Sequence, residues 1–208
     1  MNPTISERIH WTGEVRQAQQ AFRSLLRALS RPCRPVSLPL PEGKTGTLSP
    51  ELAAIALTMC DQDTGVWLSP SLNSKEVRHW FRFQCGAPTL DEPAGAAFVF
   101  VAGPEEIPDL STLAQGTPEY PDRSATLCAG GMHLSRTQEN PQWLACGPGI
   151  REPLPFCCNL PEGFLARWEE NHRSFPQGID MFLCGEGMVA GLPRSTSLTP
   201  YKENRVCM

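Results

Sequence analysis

The chain reads as a single α/β domain with one mixed central sheet flanked by helices. Three observations carry that reading. Helix-like and strand-like segments alternate along all 208 residues, with no repeat or low-complexity linker between them. Residues 96–101 (AAFVFV) form a continuous apolar run of strand length, as in a strand covered on both faces. Apolar residues make up 40% and charged residues 19%, the balance of a packed core rather than a disordered chain. Residues 1–208 are therefore taken as one domain with flexible ends.

The first element is a helix over 14–30. Val15, Ala18, Phe22, Leu25 and Leu29 recur at steps of three and four and define one apolar stripe, with Arg16, Arg23 and Arg27 off it. Pro32 stops the helix. Residues 33–40 read as a proline-marked edge strand. Ser49 and Pro50 are an N-cap and first-turn pair for a short helix over 51–60, which is so apolar that it must be buried on most sides. A turn over 61–65 leads to the strand Val66, Trp67, Leu68. Ser74 caps a helix to about 83, with Val77, Trp80 and Phe81 inward.

After the strand within 96–101 comes a loop rich in Pro, Glu and Asp, to about Arg123. Residues 125–128, 133–135 and 143–146 read as strands of the sheet. A last helix opens at Asn159, Leu160 and Pro161 and runs to about His172, with Phe164, Leu165 and Trp168 on one side. Residues 181–184 and 188–192 make a hairpin about Gly185, Glu186 and Gly187. The tail from Thr199 is expected to be mobile.

Several function classes are excluded or disfavoured. A formal charge of −4 gives no nucleic-acid footprint. No apolar run approaches the ~18 residues of a membrane span, and residues 1–11 lack the apolar core of a signal peptide. A cytoplasmic location is expected. Nine cysteines show no C-x-x-C spacing and complete no zinc pattern with the four histidines. Most are read as small buried hydrophobes in a reducing compartment.

Of the motifs, Gly43-Lys44-Thr45 resembles the end of a P-loop, but Leu38 stands where the motif needs its first glycine. There is no G-x-S-x-G elbow. The three lysines, Lys44, Lys75 and Lys202, are poorly placed for a pyridoxal phosphate Schiff base. Three places are left as candidates. Asp61 and Asp63 could hold a hard cation through their two carboxylates, in a turn where a buried helix hands over to a buried strand, a place where α/β sheets often hold ligands; the alternative is a turn bonding its own backbone. If either aspartate is buried, a partner such as Arg82 or Arg194 is needed to offset its desolvation. Gly178 and Asp180 lead into the last hairpin, and Arg194 with Ser195 and Thr196 closes it. That group is either a phosphate or carboxylate site or an Arg–Asp tie ordering the hairpin end.

Taken in order, segments 19–30, 57–68 (with D-x-D-T and V-W-L), Arg82-Phe83 with Ala87-Pro88, 116–119, 125–127, 147–150, 175–180 and 193–196 resemble one family. It is the H subunit of the bacterial carbon–phosphorus lyase system, the PhnH family of phosphonate metabolism proteins. The resemblance spans about residues 17–196, while 128–142 and both ends depart from the pattern. It implies a fold like the large domain of pyridoxal-phosphate-dependent transferases, without the cofactor. It also implies a homodimer alone, and work in a core complex with the G, I and J subunits, which with an accessory L subunit displaces adenine from ATP by a phosphonate at the ribose anomeric carbon. The chain is then expected to be an assembly subunit with no activity alone, no cofactor or metal of its own and no catalytic residue to carry over. Asp61, Asp63, Arg82, Gly178, Asp180 and Arg194 are its expected ligand or partner contacts. The rival reading is a free-standing enzyme or binding protein for a phosphorylated small molecule held at Asp61, Asp63 and Arg194. A weaker third is a cysteine-based metal or redox protein.

Overall fold

The computed structural model describes residues 10–11, 14–137 and 139–202. Among the described residues four α-helices, α1 (Glu14–Ser30), α2 (Pro50–Met59), α3 (Lys75–Trp80) and α4 (Phe164–Arg173), are interleaved with ten strands. Seven strands form the central mixed sheet: β1 (Val36–Ser37), β2 (Val66–Leu68), β3 (Thr89–Leu90), β4 (Phe98–Val101), β5 (Thr126–Ala129), β8 (Asp180–Gly185) and β9 (Met188–Leu192). Their order is β1-β9-β8-β5-β4-β2-β3. The β8, β5, β4, β2 and β3 neighbours are parallel; β1, β9 and β8 pair antiparallel.

The alternation of side chains along each strand separates two cores. Phe100, Cys128, Phe182, Cys184 and Val189 face α1, α2 and α3. Val99, Val101, Leu127, Met181, Leu183, Ala190 and Leu192 face the other way, toward α4 and a second sheet. Because helices or strands cover both faces, the central strands have no polar face. This is the expected α/β architecture with a mixed central sheet.

Local signals were honoured where the backbone alone decides. Ser49 accepts the Leu52 N–H and Ser74 accepts the Val77 N–H at 3.3 and 3.2 Å, so both N-caps form. The β8–β9 hairpin turns through Glu186 and Gly187, both left-handed (φ 55 and 73), the pairing whose twist suits a two-residue turn.

Other expectations are corrected by tertiary contacts. On α1, the buried line is Ala21, Leu25 and Ala28, while Val15 (72%) and Phe22 (49%) of the expected stripe, and Leu26 (58%), are exposed. The helix lies so close to β9 that a Cβ on Gly191 would sit 2.5 Å from the Ala28 carbonyl oxygen, so alanines face the sheet. The proline-marked edge strand is at the sheet edge but shrinks to β1. The third helix ends at Trp80 and widens into a π-helical turn over Phe81–Cys85.

Residues 133–135 are not a strand. The chain there crosses the end of β8: Met132 N donates to the Cys184 carbonyl (3.0 Å) and His133 N donates to Asn159 Oδ1 (2.6 Å). Trp143–Cys146 (β6) belongs to a separate three-stranded antiparallel sheet with β7 (Leu154–Phe156) and β10 (Ser197–Pro200) rather than to the central one. Thr199 and Pro200 are therefore strand residues, paired with Leu144 and Trp143, and the rest of the expected tail, residues 203–208, lies outside the described residues. The final helix starts at Phe164, not at Asn159.

Candidate functional site

The six residues singled out from the sequence fall into two groups, both at the amino ends of the parallel strands. Residues 61–65 precede β2, Gly86 to Pro88 precede β3, and Asp180 begins β8. Ligands of open α/β sheets lie at the carboxyl ends, so the helix-to-strand hand-over at Asp61 is not the expected crevice.

Asp61 closes a turn on itself. Its Oδ1 accepts the Asp63 N–H (3.0 Å) and the Thr64 hydroxyl (2.6 Å), and these bonds, that from Thr64 first, hold its carboxyl below the usual range. Both aspartates are exposed, so neither needs a buried cation. The alternative of a self-bonded turn describes Asp61. Arg82 is exposed on the π-helical turn and lines a groove of about 520 Å³ with Arg78, His79, Ala87 and Pro88. Gly86 sets the groove beside Gln62, which lies between the two aspartates.

Gly178, Asp180 and Arg194 do come together, and they bind one another's elements. The Arg194 Nε and one Nη reach the two Asp180 oxygens at 3.1 and 2.7 Å. The other Nη donates to the Pro121 and Pro176 carbonyls (3.0 and 3.2 Å), and the Ser124 hydroxyl accepts the last N–H. All five guanidinium N–H groups thus have acceptors within the chain. Thr196 is fully buried, which takes its hydroxyl away from any solvent-borne anion. Gly178 adopts φ 114, and a Cβ there would meet Asn171 Oδ1 at 2.8 Å. The same Asn171 side chain accepts the Ile179 N–H (2.8 Å) and donates to the Ile179 carbonyl (3.0 Å). The geometry is that of the Arg–Asp tie.

The carboxyl edge of the sheet holds a constellation that sequence reasoning missed. After β2 the chain leaves toward α3 on one face, and after β4 it leaves toward Ile107 and Leu110 on the other. Adjacent parallel strands whose connections diverge make a topological switch point. Glu106 occupies it. Its Oε1 accepts the Ser71 N–H (3.1 Å) and hydroxyl (2.6 Å); its Oε2 accepts the Ala102 N–H (3.3 Å) and the Ser69 hydroxyl. Burial raises the Glu106 pKa, but the four hydrogen bonds together outweigh it and hold the carboxyl below its ordinary value. A carboxylate so held is an anion locked in place, not a proton acceptor poised near neutrality. The available signal was two loops, Ser69-Pro70-Ser71 and Gly103-Pro104-Glu105-Glu106, each directly after a buried strand.

Among the described cysteines, Cys33, Cys128, Cys157, Cys158 and Cys184 are buried, Cys60, Cys85 and Cys146 half-buried, and all are free. Burial pushes the Cys33 and Cys85 thiols up to about 12, and Cys60, Cys128, Cys158 and Cys184 higher still. With nothing bound, these thiols stay protonated at neutral pH, which holds back the thiolate that a reactive cysteine needs. Cys207 lies outside the described residues. Among the described residues no group of three or more His, Cys, Asp or Glu is gathered to hold a metal ion, and no helix is long and apolar enough to cross a membrane.

The family model for the bacterial phosphonate metabolism protein (PhnH) matches residues 10–199. The chain is 36% identical over 185 residues to the alpha-D-ribose 1-methylphosphonate 5-triphosphate synthase subunit PhnH of Rhizobium meliloti (strain 1021), covering 88% of this chain and 91% of that protein. It is 30% identical over 181 residues to HtxG of Stutzerimonas stutzeri, provisionally named a C-P lyase subunit protein, covering 86% and 85%. With a match that runs from the bridge at His10 to the strand β10, the chain belongs to the PhnH family of bacterial phosphonate metabolism proteins.

Proposed function

We propose that this chain is a non-catalytic assembly subunit of a carbon–phosphorus lyase core complex, acting at the step that joins a phosphonate to the ribose of ATP and releases adenine. Family membership gives the pathway. The observation that carries the assembly role is the outer face of α1. Val15, Phe22 and Leu26 lie along one stripe of this helix and are all exposed. Apolar residues so aligned on a well-packed helix are characteristic of a surface that a partner covers.

The proposed partners are the G, I and J subunits, with a homodimer formed by the chain alone. A cytoplasmic location and a fold akin to the large domain of pyridoxal-phosphate-dependent transferases, with no cofactor in this subunit, belong to the same proposal. Asp61, Asp63 and Arg82 are exposed and are proposed as contacts with a partner or its ligand. Gly178, Asp180 and Arg194 serve by holding the hairpin end in shape.

The test is co-expression of the tagged chain with the G, I and J subunits, followed by sizing of the eluate. One stable assembly containing all four supports the reading. Recovery of this chain alone, with a catalytic activity of its own on a phosphorylated small molecule, refutes it and favours a free-standing enzyme.

A further inference from the structure

We propose that the groove between α1 and the β1 edge is a binding site for a small polyanion of the phosphate type. Arg23 and Arg27 come from α1 and Arg136 from the loop after β5; with Ser24, Pro35, Val36 and Ser37 they line a groove of about 720 Å³. That volume is within the roughly 300–1,000 Å³ of small-molecule sites. The ion pairs among the described residues are Arg78–Asp91, His133–Glu186, Arg173–Glu169 and Arg194–Asp180. None involves Arg23, Arg27 or Arg136, so three guanidiniums converge without a carboxylate in a chain of formal charge −4.

The convergence is built rather than incidental. Arg23 and Arg27 are four residues apart on one helix face, an unfavourable spacing for like charges. Arg136 arrives from a distant part of the chain and is held by a bond from its guanidinium to the Ser37 hydroxyl. The Ser24 hydroxyl in turn donates to the Ser37 carbonyl at 2.9 Å, fixing the helix against β1. Planar guanidinium forks that approach from two walls suit an oxyanion with several acceptor edges, and the concave shape suits a compact ligand rather than a flat surface.

The experiment is titration calorimetry of the intact chain, without partners, using sodium tripolyphosphate as the probe and hexaglutamate as a second arm. Saturable binding at one site per chain is expected. It should weaken about tenfold in Arg136→Gln, the scale of one lost charge-assisted contact, and further in the Arg23→Gln/Arg27→Gln double variant. Arg173→Gln, an exposed arginine on α4, should leave it unchanged. The double variant tests the groove without touching the Arg136–Ser37 bond. No saturable binding, or an equal loss in Arg173→Gln, overturns the proposal. Arginine-dependent binding of hexaglutamate alone also overturns it, because the occupant is then an acidic protein segment. The titration needs no partner subunit, so its outcome is independent of the co-purification.

Discussion

Arg194 and Asp180 meet fork to fork, and the Arg194 backbone N–H adds a third bond to Asp180 Oδ1 at 2.8 Å. The pair ties the first residue of β8 to a residue just past the end of β9, so it closes the open end of the hairpin. Its side chains are 11% and 28% exposed. Removing the guanidinium strands a partly desolvated carboxylate and three acceptors that Arg194 now serves. Arg194→Met should therefore lower stability by about 2–4 kcal/mol, and Arg194→Lys should recover only part of it because an ammonium cannot make the two-pronged contact. Urea unfolding of the three proteins measures this; a loss below about 0.5 kcal/mol in the Met variant would show that the tie is dispensable.

Gly178→Ala tests the neighbouring turn. The added methyl would meet Asn171 at 2.8 Å from its Oδ1 and 3.0 Å from its backbone oxygen, at a φ that L-residues rarely adopt. A loss of about 2–3 kcal/mol is expected from strain and from displacement of the Asn171–Ile179 bonds. A thermal melt equal to that of the parent would contradict the close approach.

Glu106 makes stability depend on acid pH. Because its folded pKa is lowered from 4.5, its contribution is present in full above that value and is lost as pH falls through the lower folded one. Glu106→Gln should be less stable than the parent at pH 7, and the gap should narrow below pH 4.5. A pH-independent gap would place the effect in packing rather than in charge.

The thiols impose the opposite limit. Cys33 and Cys85 are held protonated up to about 12 in the fold, against 9.0 for an ordinary thiol. Above 9.0 the unfolded chain releases these protons while the folded chain keeps them, so stability should fall as pH rises from 9.0 toward 12. Cys33→Ala and Cys85→Ala variants should show a shallower alkaline decline. If their denaturation midpoints fall with pH as steeply as the parent's, the thiols are not the cause.

Phe22→Glu and Leu26→Glu probe the exposed face of α1. Neither side chain is in the core, so stability should change by no more than about 0.5 kcal/mol. Co-purification with the G, I and J subunits should fail. Normal assembly with both variants would move the partner surface elsewhere.

The first two helices, the strand at 66–68, the last hairpin and the caps were legible because each depends on neighbours in sequence: a proline after Ser49, an apolar run at 96–101, a turn at Gly185, Glu186 and Gly187. The two-residue strand β3 has no such run and was not foreseen. What was not legible depends on distance in space. The apolar stripe of α1 counts Phe22 and Leu25 alike, and only the closeness of β9 decides that Ala21, Leu25 and Ala28 go inside. Strand-like residues 143–146 gave no sign that they pair with 197–200 in a second sheet. Asp180 and Arg194 could be named as a tie or as an anion site, and only the folded geometry chose the tie, since the two readings use the same two residue types. Glu106 and Ser69 lie 37 residues apart, and nothing local marks them as one cluster.

Gly191 has a bearing on how variants of this protein should be interpreted. Its missing side chain lets the Ala28 carbonyl rest almost on the sheet, leaving α1 no slack in height or roll. Every group on the helix's outer face, the apolar stripe and Arg23 and Arg27 alike, therefore inherits its position from a residue it never touches. A single methyl at Gly191 would lift the whole face together, and a change in the deepest layer of the protein would be felt first by whatever binds outside.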